Sequence, residues 1–166
     1  MNCISDHARR RLLAATLALP AAWASQRVVA MEHGVAGKVS EFDAAVWARL
    51  LQSGPRPAAY VFTTTYCSTC PAVFELLHRA IAASRQHVEL MAVVMNAQGE
   101  RALAHAHHYI GATRVYAFSG FEPEIRYAVD PKWRNITPYV ALLGRKGVDQ
   151  RVIGPPDAAQ LQRWLA

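Results

Sequence analysis

Cys67 and Cys70 are the residues of this 166-residue chain whose type and spacing most directly suggest chemistry. With only Ser68 and Thr69 between them, the two sulfurs fall within one turn of chain, where they can close a disulfide or share a metal. The stretch Tyr66-Cys67-Ser68-Thr69-Cys70-Pro71 follows an apolar run, Ala58-Ala59-Tyr60-Val61-Phe62, and a polar bridge, Thr63-Thr64-Thr65. An amphipathic pattern begins at once beyond it, at Val73, Phe74, Leu76, Leu77, Ala80 and Ile81. This order predicts strand, short turn and helix, with the cysteines at the junction. At a helix N-terminus the free backbone N–H groups and the helix dipole stabilise a thiolate, so Cys67 is expected to be the more acidic thiol. Pro71 suits the first helical turn, where its missing N–H is not needed.

Three uses of the pair stay open: redox exchange, a structural disulfide, and metal binding. A closed zinc site needs four ligands, and the only other cysteine, Cys3, lies in a segment expected to be removed.

That segment is the leader. Arg9-Arg10-Arg11 precedes the apolar run Leu12 to Leu19, then Pro20 and Ala22-Trp23-Ala24, which is the order of an export signal with cleavage after Ala24. The paired arginines resemble a twin-arginine signal. The run is short for a membrane span, and no other segment approaches the required length. The expected organisation is therefore an export signal over 1–24, a loose leader over 25–39 and one domain over 40–166. Export implies the periplasm or another extracytoplasmic compartment, where a dithiol either is kept reduced by a dedicated donor or works as an oxidant.

The formal charge of +6 falls to +4 once residues 1–24 are set aside, with fifteen basic and eleven acidic residues left. The arginines are scattered and no basic patch with interleaved aromatics appears, which argues against nucleic-acid binding.

The elements that must position the cysteines follow from hydrophobic period. Ser40 is expected to cap a helix running to Leu51, ended by Gly54-Pro55-Arg56-Pro57. The run 58–64 is apolar enough for an interior strand. The helix from Pro71 should reach Ser84 or Arg85, and Val88–Met95 should be a second buried strand. A helix over Glu100–Tyr109, a short strand over Val115–Phe118, and a helical stretch near Pro123–Ala128 follow. Tyr139–Leu143 and Val148–Ile153 read as a hairpin about Gly144-Arg145-Lys146-Gly147. Asp157 is expected to cap a last helix with Ala158, Leu161, Trp164 and Leu165 on its apolar face. Strand and helix alternation of this kind predicts an α/β fold, a mixed sheet with helices on both faces.

Taken together, Cys67-Ser68-Thr69-Cys70 between strand and helix, Pro71, Ile136-Thr137-Pro138 ahead of the hairpin, and Gly144-Arg145-Lys146-Gly147 at its turn resemble the thioredoxin-like superfamily over residues 38–166. The likeness is strongest to its exported thiol-disulfide oxidoreductases and more distant to the copper-assembly proteins of cytochrome oxidase. It implies that Pro138 is a cis-proline packed against the disulfide, that Thr137 offers its backbone to a bound substrate chain, and that Tyr66 and Pro71 support the site. The implied partners are an exported protein with a cysteine pair, by analogy an apocytochrome c or a copper-site protein, and a membrane-linked thiol donor or acceptor. No cofactor is implied, and the protein is expected to be a monomer.

In the exchange reading, Cys67 attacks a partner disulfide and Cys70 resolves the mixed disulfide. The chain departs from the family at two places. Tyr66 stands where relatives commonly carry tryptophan, and Val61 stands where thioredoxin has a buried acid. The proton shuttle for Cys70 is thus unassigned, with Glu75, Glu122 or water as candidates. The copper-assembly relatives have three residues between their cysteines and a late histidine, whereas Arg134-Asn135-Ile136-Thr137-Pro138 contains none. His105 and His108 stand one turn apart, a spacing that can share a metal, and Met91 and Met95 alternate as core positions would. Phe121, Trp133 and Tyr139 either line a groove beside the cysteines or pack ordinarily. A copper metallochaperone and a binding module with an inert disulfide are the competing functions.

Overall fold

The computed structural model describes residues 38–145 and 149–166. The leader, the Val28–Met31 segment and most of the hairpin turn lie outside them. Strands β1 (Val39–Phe42), β2 (Ala58–Thr63), β3 (Glu89–Val94), β4 (Arg114–Phe118), β5 (Tyr139–Leu143) and β6 (Asp149–Ile153) form one sheet in the order β1-β4-β3-β2-β5-β6. Neighbours from β1 to β2 run parallel, and β5 and β6 join antiparallel. The helices are α1 (Ala44–Ser53), α2 (Cys70–Ser84), α3 (Gly99–Leu103), α4 (Glu122–Val129) and α5 (Ala158–Trp164).

β2 is wholly buried between β3 and β5, the position its unbroken apolar run requires. Its side chains alternate between two cores. Ala59 and Val61 meet Val73, Phe74 and Leu77 of α2 and Trp164 of α5 on one face. Ala58, Tyr60 and Phe62 meet Trp47 of α1 and Ile125 and Val129 of α4 on the other. Each large apolar side chain buried in this way contributes about 1.5–3 kcal/mol. Met91 and Met95 both lie in the second core. This is the mixed sheet with helices on both faces expected of a thioredoxin-like fold.

α5 starts as read: Asp157 accepts from the Gln160 N–H at 2.7 Å while the Gln160 side chain accepts from the Asp157 N–H at 2.8 Å. The Trp164 indole then donates to the Ala58 and Leu143 carbonyls, docking the helix over β2 and β5. Arg56, in the connection before β2, donates to Asp149 Oδ1 at 2.8 Å and to the Gly144 carbonyl at 3.0 Å, which holds the hairpin.

Two elements differ from the sequence reading. Ser40 is not a cap but lies inside β1, and Asp43 caps α1 instead, accepting from the Val46 N–H at 2.6 Å. β1 is an edge strand paired only with β4, so Ser40 and Glu41 stay exposed and the apolar signal of a buried strand is missing. The helix read over Glu100–Tyr109 stops at Leu103 and gives way to a 3-10 turn, Ala106–His108. The Ala104 carbonyl, which would accept the His108 N–H in a continued α-helix, takes His107 Nδ1 at 3.0 Å, while the His108 N–H turns to the His105 carbonyl at 3.0 Å. The N–H groups of His105, His108 and Tyr109 each reach back three residues, to Ala102, His105 and Ala106, so the turn tightens.

Among the described residues, no helix is long and apolar enough to cross a membrane.

Candidate active site at the Cys67–Cys70 disulfide

Parallel strands β2 and β3 end side by side, and the cysteine turn leaves the end of β2 next to the end of β3. The Met95 N–H donates to the Thr63 carbonyl at 2.9 Å, carrying the pairing one step past the strands. Beyond it, Asn96 clamps the turn: its Oδ1 accepts from the Thr65 N–H and its Nδ2 donates to Thr65 Oγ1, both at 2.9 Å. The Cys67 N–H donates to the Thr64 carbonyl at 3.1 Å, and the Cys70 N–H to the Cys67 carbonyl at 3.3 Å. These bonds wind the chain into α2, whose first residue is Cys70 and whose first turn carries Pro71 as the sequence requires.

Cys67 and Cys70 form a disulfide with their Cα atoms 5.5 Å apart. The two sulfur residues are unequally placed. Cys67 is half-buried, on the turn ahead of the helix, with Sγ 3.9 Å from Thr69 Oγ1; Cys70 is 2% exposed and belongs to the core beneath. Ser68 and Thr69 are exposed and uncharged, so the helix terminus and local N–H groups remain the groups that tune a Cys67 thiolate.

The Thr137–Pro138 peptide is cis. Pro138 is buried and sits one step beyond the last β2–β5 pair, Phe62 with Tyr139, on the side from which the cysteine turn emerges. Its carbonyl accepts from the Gly154 N–H at 2.8 Å, which fixes it to the end of β6. Thr137 is half-buried ahead of it, and Ile136 is 50% exposed. Tyr66, at 78% exposed, presents a large aromatic face where it meets the first cysteine.

Trp133 and Tyr139 turn out to be core residues, stacked with ring centroids 4.3 Å apart and both touching Phe62, whereas Phe121 is 70% exposed. Trp133 still bears on the site, because its indole N–H donates to the Ile136 carbonyl at 2.9 Å and so holds the segment leading to Pro138. Tyr139 donates its hydroxyl to Asp130 Oδ2 at 2.6 Å. Burial pushes the Tyr139 hydroxyl upward and the bond to Asp130 adds to it. For Asp130 partial burial acts to raise its pKa, but the Tyr139 and Lys132 hydrogen bonds outweigh it and hold the carboxyl below its ordinary value.

A cavity of about 250 Å3 opens beside the disulfide, lined by Thr63–Ser68, Cys70, Pro71 and, from the 3-10 turn, His105, His108 and Tyr109. In the sequence His105 and His108 stand out only as a pair one turn apart that could share a metal, and Thr64, Asn96 and Tyr109 are not singled out as site residues. The one signal for Asn96 was its place at the end of a strand next to β2, where parallel sheets build their sites. Val61 is fully buried under α2, and the described residues hold no buried carboxylate near Cys70; the buried polar side chains are Thr63 and Thr64. Glu75 is exposed and lies 3.5 Å from Arg79, and Glu122 is bonded to Arg126 at 3.1 Å, so the two carboxylates among the proton-shuttle candidates pair with arginines, which leaves water.

Among the described residues no three of His, Cys, Asp and Glu gather closely enough to hold a metal ion.

No protein-family model matches the sequence, and no curated protein does. Solved structures do share its shape. The chain is similar to a thioredoxin-related protein of Neisseria meningitidis serogroup B at 13% identity and a TM-score of 0.50, over 69% of this chain and 87% of that one. It is also similar to StoA of Bacillus subtilis at 19% identity and a TM-score of 0.45, covering 68% and 85% of the two chains. A secreted disulfide oxidoreductase of Mycobacterium tuberculosis aligns at 18% identity and a TM-score of 0.47, covering 66% and 80%. At 13% identity the first likeness shows the thioredoxin-like fold alone.

Proposed function

We propose that the protein is an exported thiol-disulfide oxidoreductase that exchanges the Cys67–Cys70 disulfide with a cysteine pair of a partner protein. The observation that carries this reading is the asymmetry of the pair: one sulfur reachable at the start of a helix, the other buried one turn inward. An inert structural disulfide needs no such difference, while exchange requires one thiol to meet the partner and one to wait behind it.

In the reducing direction the Cys67 thiolate attacks a partner disulfide and forms a mixed disulfide. Cys70 then attacks Cys67 Sγ, the Cys67–Cys70 bond forms, and the partner departs with both its sulfurs reduced. The oxidising direction is the reverse. Thr137, ahead of cis-Pro138, presents backbone to the partner chain, and Tyr66 and Ile136 supply apolar surface beside it. The leader over 1–24 supports an extracytoplasmic location, with a membrane-linked thiol donor or acceptor to reset the pair. The partner protein is one with a cysteine pair, such as an apocytochrome c or a copper-site protein.

The experiment is equilibration of residues 25–166 with glutathione buffers followed by thiol trapping. A potential near roughly −270 mV makes the protein a reductant that needs an electron supply, and one near roughly −120 mV makes it an oxidant of folding proteins. A pair that never equilibrates is a structural disulfide and ends the proposal.

A further inference from the structure

The resolving thiol has an unmet need. Cys70 is buried, and a buried thiol must shed its proton before it can attack, yet the strand beneath it offers Val61 and no acid. The cavity beside it is equipped differently. Two residues of its lining, Tyr109 at 3% exposed and Thr64 at 9%, bury hydroxyls that have no hydrogen-bond partner within the protein and are closed off from its water. Buried hydroxyls are rarely left so, and the cavity is roomy enough for several waters by the ~10–15 Å3 that one needs. Burial pushes the Tyr109 hydroxyl up to about 12, so it stays protonated at neutral pH and is not itself the base. The same wall carries His105 and His108, whose rings stack with centroids 6.2 Å apart because residues three apart eclipse in a 3-10 turn.

We propose that His105 and His108 accept the Cys70 proton through water in the cavity that all three line, which makes them the base for resolution in place of a buried carboxylate. The inference rests on the exchange reading above. Cys70 gives its proton to a cavity water, and the relay delivers it to an imidazole nitrogen. The Cys70 thiolate attacks Cys67 Sγ, the Cys67–Cys70 bond forms, and the bond from Cys67 to the partner breaks. The partner sulfur leaves with that electron pair and takes a proton from solvent or the imidazolium. The partner disulfide has gained two electrons and the protein's dithiol has lost two.

The other titratable and charged groups around this wall are few. His107 packs on His108 with centroids 3.9 Å apart but is tied to the Ala104 carbonyl. On α2, His78 lies against Gly111, and Glu75 faces Arg79 at the surface. Tyr66 completes the cavity on the cysteine side.

The test follows the single-turnover resolution of a mixed disulfide between reduced protein and a disulfide-bearing peptide, by acid quench and mass spectrometry, from pH 5 to 10. Wild type is compared with His105→Gln, His108→Gln, the double variant and Tyr109→Phe, which keeps the ring that packs on Phe74. General-base assistance is commonly worth about 10²-fold or more, so the double variant should resolve at least about tenfold more slowly at pH 7. It should also lose the rise in rate with pH that a histidine base gives, and the gap to wild type should narrow only toward pH 10, because burial raises a thiol's pKa. A pH profile equal to wild type overturns the proposal, and so does a variant that stays slow at every pH, which is structural damage. Attack by Cys67 is read separately in Cys70→Ser: if that variant forms no mixed disulfide at any pH, the exchange reading fails and this inference with it. If it forms one at the wild-type rate while resolution ignores the histidines, only the relay fails.

Discussion

Thr65 and Asn96 hold each other by two hydrogen bonds, one through the Thr65 N–H and one through its hydroxyl, each 2.9 Å long. The pair joins the turn that carries Cys67 to the end of the neighbouring strand, so the position of the exposed sulfur is set by a residue far away in sequence. Asn96→Ala removes both bonds at an exposed position, where a typical hydrogen bond contributes about 0.5–1.5 kcal/mol. Chemical denaturation should show a loss of about 1–2 kcal/mol, and amide exchange at Thr65 and Cys67 should rise more than exchange in β2.

Gly111 closes the segment that carries the histidines. Its φ is +78°, and a Cβ there would collide with the His78 imidazole. Gly111→Ala should cost about 1–2 kcal/mol from the left-handed backbone alone, and more from the collision. Thermal or denaturant unfolding of the variant reads the loss directly.

The Tyr139–Asp130 bond makes a pH-dependent contribution whose sign can be worked out. Asp130 has a folded-state pKa below its unfolded value, so its contribution is complete above the ordinary carboxylate value of about 3.9 and is lost as pH falls through the lowered one. Tyr139→Phe removes the bond. The variant should be less stable than wild type at pH 7, and the gap should narrow as pH drops below about 3.9. Urea denaturation of both proteins at pH 7, 4 and 3 measures that gap, and one that is constant with pH contradicts the assignment.

The parts of the fold written in local chemistry could be read from the chain: the apolar run of β2, the amphipathic period of α2 after Pro71, and the Asp157 cap ahead of α5. β1 escaped because an edge strand keeps Ser40 and Glu41 in water and so carries no buried-strand pattern. The break after Leu103 escaped because the change to three-residue hydrogen bonds at His105, His108 and Tyr109 is not something helical spacing encodes. In the site, the cysteine pair was legible from its place between strand and helix. The wall facing it was not, since His105, His108 and Tyr109 reach the disulfide only through packing of the 3-10 turn beside α2. Val61 in place of an acid was legible as an absence.

The central claim is the division of labour between a reachable Cys67 and a buried Cys70, and trapping tests it most directly. Reduced Cys67→Ser and Cys70→Ser proteins are each mixed with a disulfide-bearing peptide, and the adducts are weighed by mass spectrometry. Cys70→Ser should accumulate a stable mixed disulfide through Cys67, while Cys67→Ser should form one at least about tenfold more slowly. Equal adduct formation by the two variants, or adducts mainly through Cys70, would contradict the account.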